Sequence, residues 1–169
     1  MFNGILNLLV VTINQKVRES KAALEVEEKA RAIAEHQGSI VGWRKLLGHL
    51  MDFFALTDEF ITSAGDEAPV IESIGTPEIN ELHAEKKALV ATETWDSLLK
   101  EIARNREYLK ERLITTANSA RDLYLAQSQH SGMTAYSPLF NALDEEYNRR
   151  QEELAFDAGD TPGELPINE

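Results

Sequence analysis

WDSLLKEIARNREYLKERL, residues 95–113, decides the fold class. Its apolar residues fall at Trp95, Leu98, Leu99, Ile102, Leu109 and Leu113, at helical spacings that put them on one face. The charges off that face pair at the same spacing, Asp96 with Lys100, Glu101 with Arg104 and Glu107 with Lys110. A neutral, pair-laced exterior is what keeps a long exposed helix in solution. One place in the series, Arg106, holds a cation where a hydrophobe is due. It either snorkels, laying its stem over the stripe with its head in solvent, or sits in the seam as a polar residue that sets register and partner choice.

Outward from this stretch every periodic segment is helical and no strand pattern competes. Toward the C-terminus the stripe continues through Ala117, Ala120, Leu123 and Tyr124 until QHSGMTAYSP breaks it. Ser137, as a cap before Pro138, opens a last helix with Leu139, Leu143, Tyr147 and Leu154 on one face. Toward the N-terminus, Thr76-Pro77-Glu78 is a helix start, with Thr76 as the cap, proline at the first helical position and an acid against the helix dipole. The helix it opens either bends at Thr92–Thr94 or runs unbroken to Gln129.

The first 63 residues read as a helix pair. Leu6, Val10, Ile13, Val17, Ser20 and Leu24 recur every three or four residues, a heptad seam that predicts a first helix from Asn3 to His36, ~50 Å long at 1.5 Å per residue. HQGSIVGW then reads as a stop and restart, with Gly38 past the helix end and Ser39 capping the next. The second helix, Ile40 to Ser63, carries Trp43, Phe53, Phe54 and Phe60 and is the expected core. Residues 64–77, with Gly65, Pro69, Gly75 and Pro77, read as a linker. Residues 78–154 form one domain with the N-terminal pair, and 155–169 an acidic tail. The expected fold is an all-α, elongated, coiled-coil-like bundle of four or five helices.

Composition narrows the function classes. A chain of 169 residues with 43% hydrophobic and 27% charged residues is globular, and its lack of cysteine excludes disulfides, thiolate metal sites and thiol nucleophiles. The net charge of −12 is concentrated at the C-terminal end, where 131–169 hold nine acids against two cations, whereas 92–130 hold six of each. No cluster of Lys and Arg offers a track for phosphates, so direct nucleic-acid binding is not expected. The apolar run Ile5–Ile13 is too short to span a bilayer and has no Lys or Arg before it, so neither a transmembrane segment nor a secretory signal is expected. It reads as an amphipathic helix start that docks on protein.

Catalytic and metal motifs are missing. A di-iron bundle needs Glu-x-x-His, but the residues three before His36, His49, His83 and His130 are Ile33, Leu46, Asn80 and Gln127. There is no Gly-x-Ser-x-Gly elbow and no Gly-rich phosphate loop. Asp58-Glu59 and Asp144-Glu145-Glu146 are carboxylate runs of the kind that exposed helix faces produce. No catalytic, metal or cofactor-binding residue is assigned, and no enzymatic activity is expected.

The segment WDSLLKEIARNREYLKERLITTANSARDLYL resembles a helix of small structural proteins of tailed bacteriophages, in which a Trp-led Leu/Ile stripe is followed by a Thr-Ala-Asn stretch and an Arg-Asp continuation. The matching residues are Trp95, Leu98, Ile102, Leu109, Leu113, Thr115, Thr116, Ala117, Asn118 and Arg121. The basic arginine-glycine turn usual after it is replaced here by AQSQHSGM. The resemblance implies a virion or assembly role, located in a virion or the host cytoplasm. The thin N-terminal seam adds surface for other chains, so Leu6, Val10, Ile13, Val17, Leu24 and Arg106 are the expected interface residues of a homo-oligomer or larger assembly. The competing expectation is an acidic module that mimics nucleic acid to a basic partner through Asp144, Glu145, Glu146, Glu152 and Glu153.

Overall fold

The computed structural model describes residues 2–116 and 119–157, with Thr116 described for its backbone alone. Ala117, read as part of the stripe, Asn118 of the phage-like segment and the acidic tail beyond Asp157 lie outside the described residues. Within them the chain is all α, with seven α-helices where four or five were expected and no strand. These are α1 (Asn3–Val26), α2 (Ala30–Phe54), α3 (Asp58–Ser63), α4 (Thr76–Val90), α5 (Glu93–Thr116), α6 (Ala120–Met133) and α7 (Tyr136–Asp157). A 3-10 turn, Ile71–Ser73, precedes α4.

The extra helices come from breaks that the spacing did not show. The first helix ends at Val26, not His36, because Glu27 and Lys29 take extended backbone angles and the Glu27 carboxylate accepts the Lys29 N–H at 2.9 Å. α2 then packs back along α1, with Ser20 Oγ 3.3 Å from His36 Nδ1. A straight helix to His36 would have carried its seam away from any partner on its own chain. The second helix ends at Phe54, where Ala55 adopts a left-handed conformation (φ 51°) and its N–H returns to Met51 O. Thr57 then caps α3, its hydroxyl accepting the Phe60 N–H.

Gly38-Ser39 is not a stop. α2 runs through it, and Gly38 and Gly42 are buried, one turn apart on the same face. A Cβ on either would collide with the α6 backbone, at the Leu125 and Gln129 carbonyls, and one on Gly132 of α6 would stand 2.6 Å from the Ser39 oxygen. These glycines are there for backbone contact between helices, not for a turn. Of the two readings of the 78–129 region, the chain takes the bend: α4 ends at Val90, and the Thr92 hydroxyl accepts the Trp95 N–H to start α5.

The N-terminal half of α1 is the centre of the molecule. Ile5, Leu9, Val10 and Ile13 are at most 1% exposed, and Leu6, Leu8 and Val11 are 5% exposed. Seven residues of a nine-residue span are thus buried, which needs neighbours all round the helix. α2 and α4 lie on it and α3 touches it. Leu46 and Leu50 of α2, Ile79 and Leu89 of α4, Leu98 of α5, Met133 and Leu143 complete the core. The aromatic residues expected at the core centre (Trp43, Phe53, Phe54, Phe60) are only half-buried around it. The start of α1 has no capping side chain of its own, and Glu85 of α4 accepts the Ile5 N–H at 2.8 Å instead.

Residues 64–75 are tied to α1. Asn14 Nδ2 donates to Gly65 O at 2.7 Å, Gln15 Oε1 accepts the Ala68 N–H at 2.7 Å, and Arg18 lies 3.3 Å from Asp66. Among the described residues no helix is long and apolar enough to cross a membrane.

Candidate functional site

The stripe that opens at Trp95 supplies one wall of the candidate site. Trp95, Leu98, Ile102 and Leu109 are buried, Leu113 is half-buried and Arg106 is exposed. Arg106 thus does not lie in the buried seam. The polar residue that does enter the seam is Asn105, three after Ile102 and four before Leu109. Its Nδ2 donates to the Glu101 carbonyl at 3.0 Å and sits 3.4 Å from His49 Nε2 on α2. The sequence carried this in the spacing, because 102, 105 and 109 keep the three-and-four rhythm as well as 102, 106 and 109 do.

Beyond that polar contact, toward the end of α5, the helices part. Gly38, Gly42 and Gly132 hold α6 directly against α2, and α5 cannot follow it as closely. The space left between α2, α5 and α6 is a slot of about 380 Å³. Val41, Leu109, Leu113, Leu125 and Ala126 make its apolar walls, while Arg112 and Asp122 line its polar side. Its size is at the lower end for a site that encloses a ligand. Elsewhere between α2 and α6, Arg31 sits over the Tyr124 ring at 4.7 Å and Arg121 Nη2 donates to Gln37 Oε1 at 3.3 Å. Ser119 caps α6 through the Asp122 N–H. Burial, and then the charges of Arg106 and Lys110, hold His130 below the usual histidine range.

A second polar cluster closes the seam between α4 and α7. His83, 7% exposed, stacks on Tyr147 at 3.7 Å between centroids, and its Nε2 lies 3.3 Å from Asp144 Oδ1. Lys86 pairs with the other Asp144 oxygen. Burial and the charge of Lys87 depress the His83 pKa, with Asp144 opposing them and Lys86 adding to them. Two residues beyond Asp144, Glu146 takes hydrogen bonds from Arg149 and Arg150, both at 2.6 Å to Oε1. Arg150 also donates to Thr76 Oγ1 and Glu72 O, both at 3.2 Å. The Arg149 hydrogen bonds first, and those of Arg150 after them, bring the Glu146 carboxyl down to about 2 against the opposing effect of burial. His83, Lys86, Asp144, Tyr147 and Arg150 join α7 to α4 and to the 71–76 turn, whereas Arg149 pairs within α7, with Glu146 and Glu153. Arg149 also lines a hollow on the outside of α7 with Glu152, Glu153, Phe156 and Asp157.

The expected interface residues do not share a surface. Leu6, Val10 and Ile13 are inside the chain's own core, Val17 and Leu24 are half-buried on α1, and Arg106 is exposed on α5. Of the carboxylates expected to mimic nucleic acid, Glu146 is buried and Asp144 is paired with Lys86, while Glu145, Glu152 and Glu153 face outward. No group of three His, Asp or Glu side chains able to hold a metal ion occurs among the described residues. Comparison of the chain with family models, with curated proteins and with solved structures gave no match.

Proposed function

We propose that this chain is a structural or assembly protein that works by offering apolar helical surface to other polypeptides, as a minor component of a tailed-phage particle. The observation that carries the reading is exposed apolar surface at the slot between α2, α5 and α6. Val41, which lines the slot, is 44% exposed, and Ile114 and Leu123, each next in sequence to a lining residue, are 85% and 42% exposed. Scattered exposed hydrophobes are ordinary on a soluble protein, but a group beside a concave apolar slot is what a docking site requires. The surface differs from the one the α1 seam suggested, since most of that seam is used internally. The resemblance of the Trp95–Leu125 segment to phage structural proteins supports the particular setting.

Sedimentation velocity over a concentration series tests the proposal. Association that grows with concentration through the high micromolar range is the expected result, and a single monomeric species throughout would overturn it. The nucleic-acid mimic draws less support, because α7 uses Asp144 and Glu146 to hold itself to α4 and presents a thinner acidic face than its sequence suggests.

A further inference from the structure

We propose that the C-terminal part of α7, residues 144–157, is a strap that acid releases from α4 while the N-terminal part of the same helix stays docked. The movement lies within one chain, and the inference does not rest on the assembly reading above.

The two parts of α7 are held by different chemistry. In the N-terminal part, Tyr136 and Phe140 lie against Trp95 of α5, with ring centroids 5.2 and 5.4 Å away, and Phe140 and Leu143 are buried. None of these four side chains titrates in acid. Beyond Leu143 the buried residues of the helix are Glu146 and Arg150, and Tyr147 is half-buried. The α4 residues that meet this part are polar too. Thr76 accepts from Arg150, Asn80 accepts from Gln151 at 3.2 Å, His83 stacks on Tyr147 and Lys86 pairs with Asp144. Arg150 also reaches the Glu72 carbonyl in the 71–76 turn.

Parting these faces gives up the His83–Tyr147 stack, but the remaining groups are polar and water can satisfy them. A segment docked in this way sits at the low end of local stability. One group gains by opening, since Asp144 Oδ1 is buried without a hydrogen bond.

Acid acts on the strap at two places. His83 faces Asp144 and Tyr147 of α7, with Lys86 and Lys87 beside it on its own helix. Burial and Lys87 depress its pKa against the pull of Asp144, so the released ring takes up a proton more readily than the docked one. Glu146 is held low by Arg149 and Arg150. Protonating it leaves the Arg150 guanidinium, 7% exposed, without its carboxylate, and release returns that cation to water. In water the same pair is screened and holds the carboxyl less firmly, so both titrations favour the open strap.

Amide hydrogen exchange followed by NMR from pH 7 to pH 4, corrected for intrinsic rates, tests the proposal. Protection at residues 147–153 should fall about tenfold or more, while residues 139–143 and the Leu98–Ile102 turn of α5 keep theirs. Glu146→Gln should bring a loss of about tenfold at 147–153 already at pH 7, again without change at 139–143. His83→Phe keeps the stack and should make the opening less sensitive to pH between 7 and 5. Protection that falls together at 147–153 and 139–143 would show that α7 is released as one body, which overturns the inference. Protection at 147–153 that is the same at pH 7 and pH 4 overturns it as well. Should Glu146→Gln fail to fold, the pH series on the parent chain decides.

Discussion

Between α4 and α7 the contact is made by side chains, and between α2 and α6 it is made by backbone. The first seam is closed by His83 stacked on Tyr147, by Lys86 with Asp144, and by Arg150 bridging Glu146 to Thr76 and Glu72. These contacts fix the register of the seam, although Asp144 Oδ1, 3.3 Å from His83 Nε2, is buried there without a hydrogen bond. The second seam dispenses with side chains at Gly38, Gly42 and Gly132, and the helices touch main chain to main chain. Such close approach draws α6 away from α5, and the slot is what remains. A concave surface can thus arise from where a bundle packs most tightly, as the gap next to the contact.

The comparison breaks most severely at Gly42. Gly42→Val puts two methyl groups into the Gln129 carbonyl and should cost about 3 kcal/mol or more in chemical denaturation, or prevent folding. Gly48, on the same helix, is the control, because a Cβ there meets nothing within 4 Å. Gly48→Ala should stabilise the chain by about 0.5–1 kcal/mol through helix propensity and lower unfolded-state entropy. Equal responses at the two glycines would show that α6 does not lie against α2 as described.

The α4–α7 seam should answer to acid. The Glu146 carboxyl is held near pH 2 when folded and titrates near 4.5 when unfolded. Its contribution is complete above about 4.5 and lost as pH falls toward 2. Glu146→Gln should therefore lower stability at neutral pH and flatten the loss below pH 4.5, read by urea midpoints across that range. A variant with the parent's acid slope would remove Glu146 from the ion-pair network.

The smallest effect belongs to His83. Its pKa is lowered in the fold, so below about 6.5 the unfolded chain takes up a proton that the folded chain resists, and stability falls with pH. His83→Phe keeps the stack on Tyr147 and should reduce that slope. His130, shifted the same way, keeps a share of it. A slope unaltered by His83→Phe would mean that the ring is not desolvated at this seam.

The α class, the Trp95–Leu113 stripe and the start of α4 at Thr76-Pro77-Glu78 were legible because each depends on neighbours within one or two turns. Arg106 and Asn105 show the limit of that reading. Both fit a three-and-four spacing from Ile102, and only the position of α2, with His49 opposite, puts one in the seam and the other in solvent. The same holds for the expected interface. Leu6, Val10 and Ile13 form as good a seam for a partner as for the chain itself, and α2 and α4 took it.

By itself the sequence determined that this protein is built of helices, which faces of them are greasy, and that its acids gather at one end. Periodicity and charge are written residue by residue, and a reader needs no third dimension to find them. Only the tertiary structure decided that Gly38 is a point of contact and not an ending, that the first helix stops at Val26, and that an open slot lies beside the glycines. Those outcomes depend on how near two helices can come, a distance set by atoms far apart in the chain.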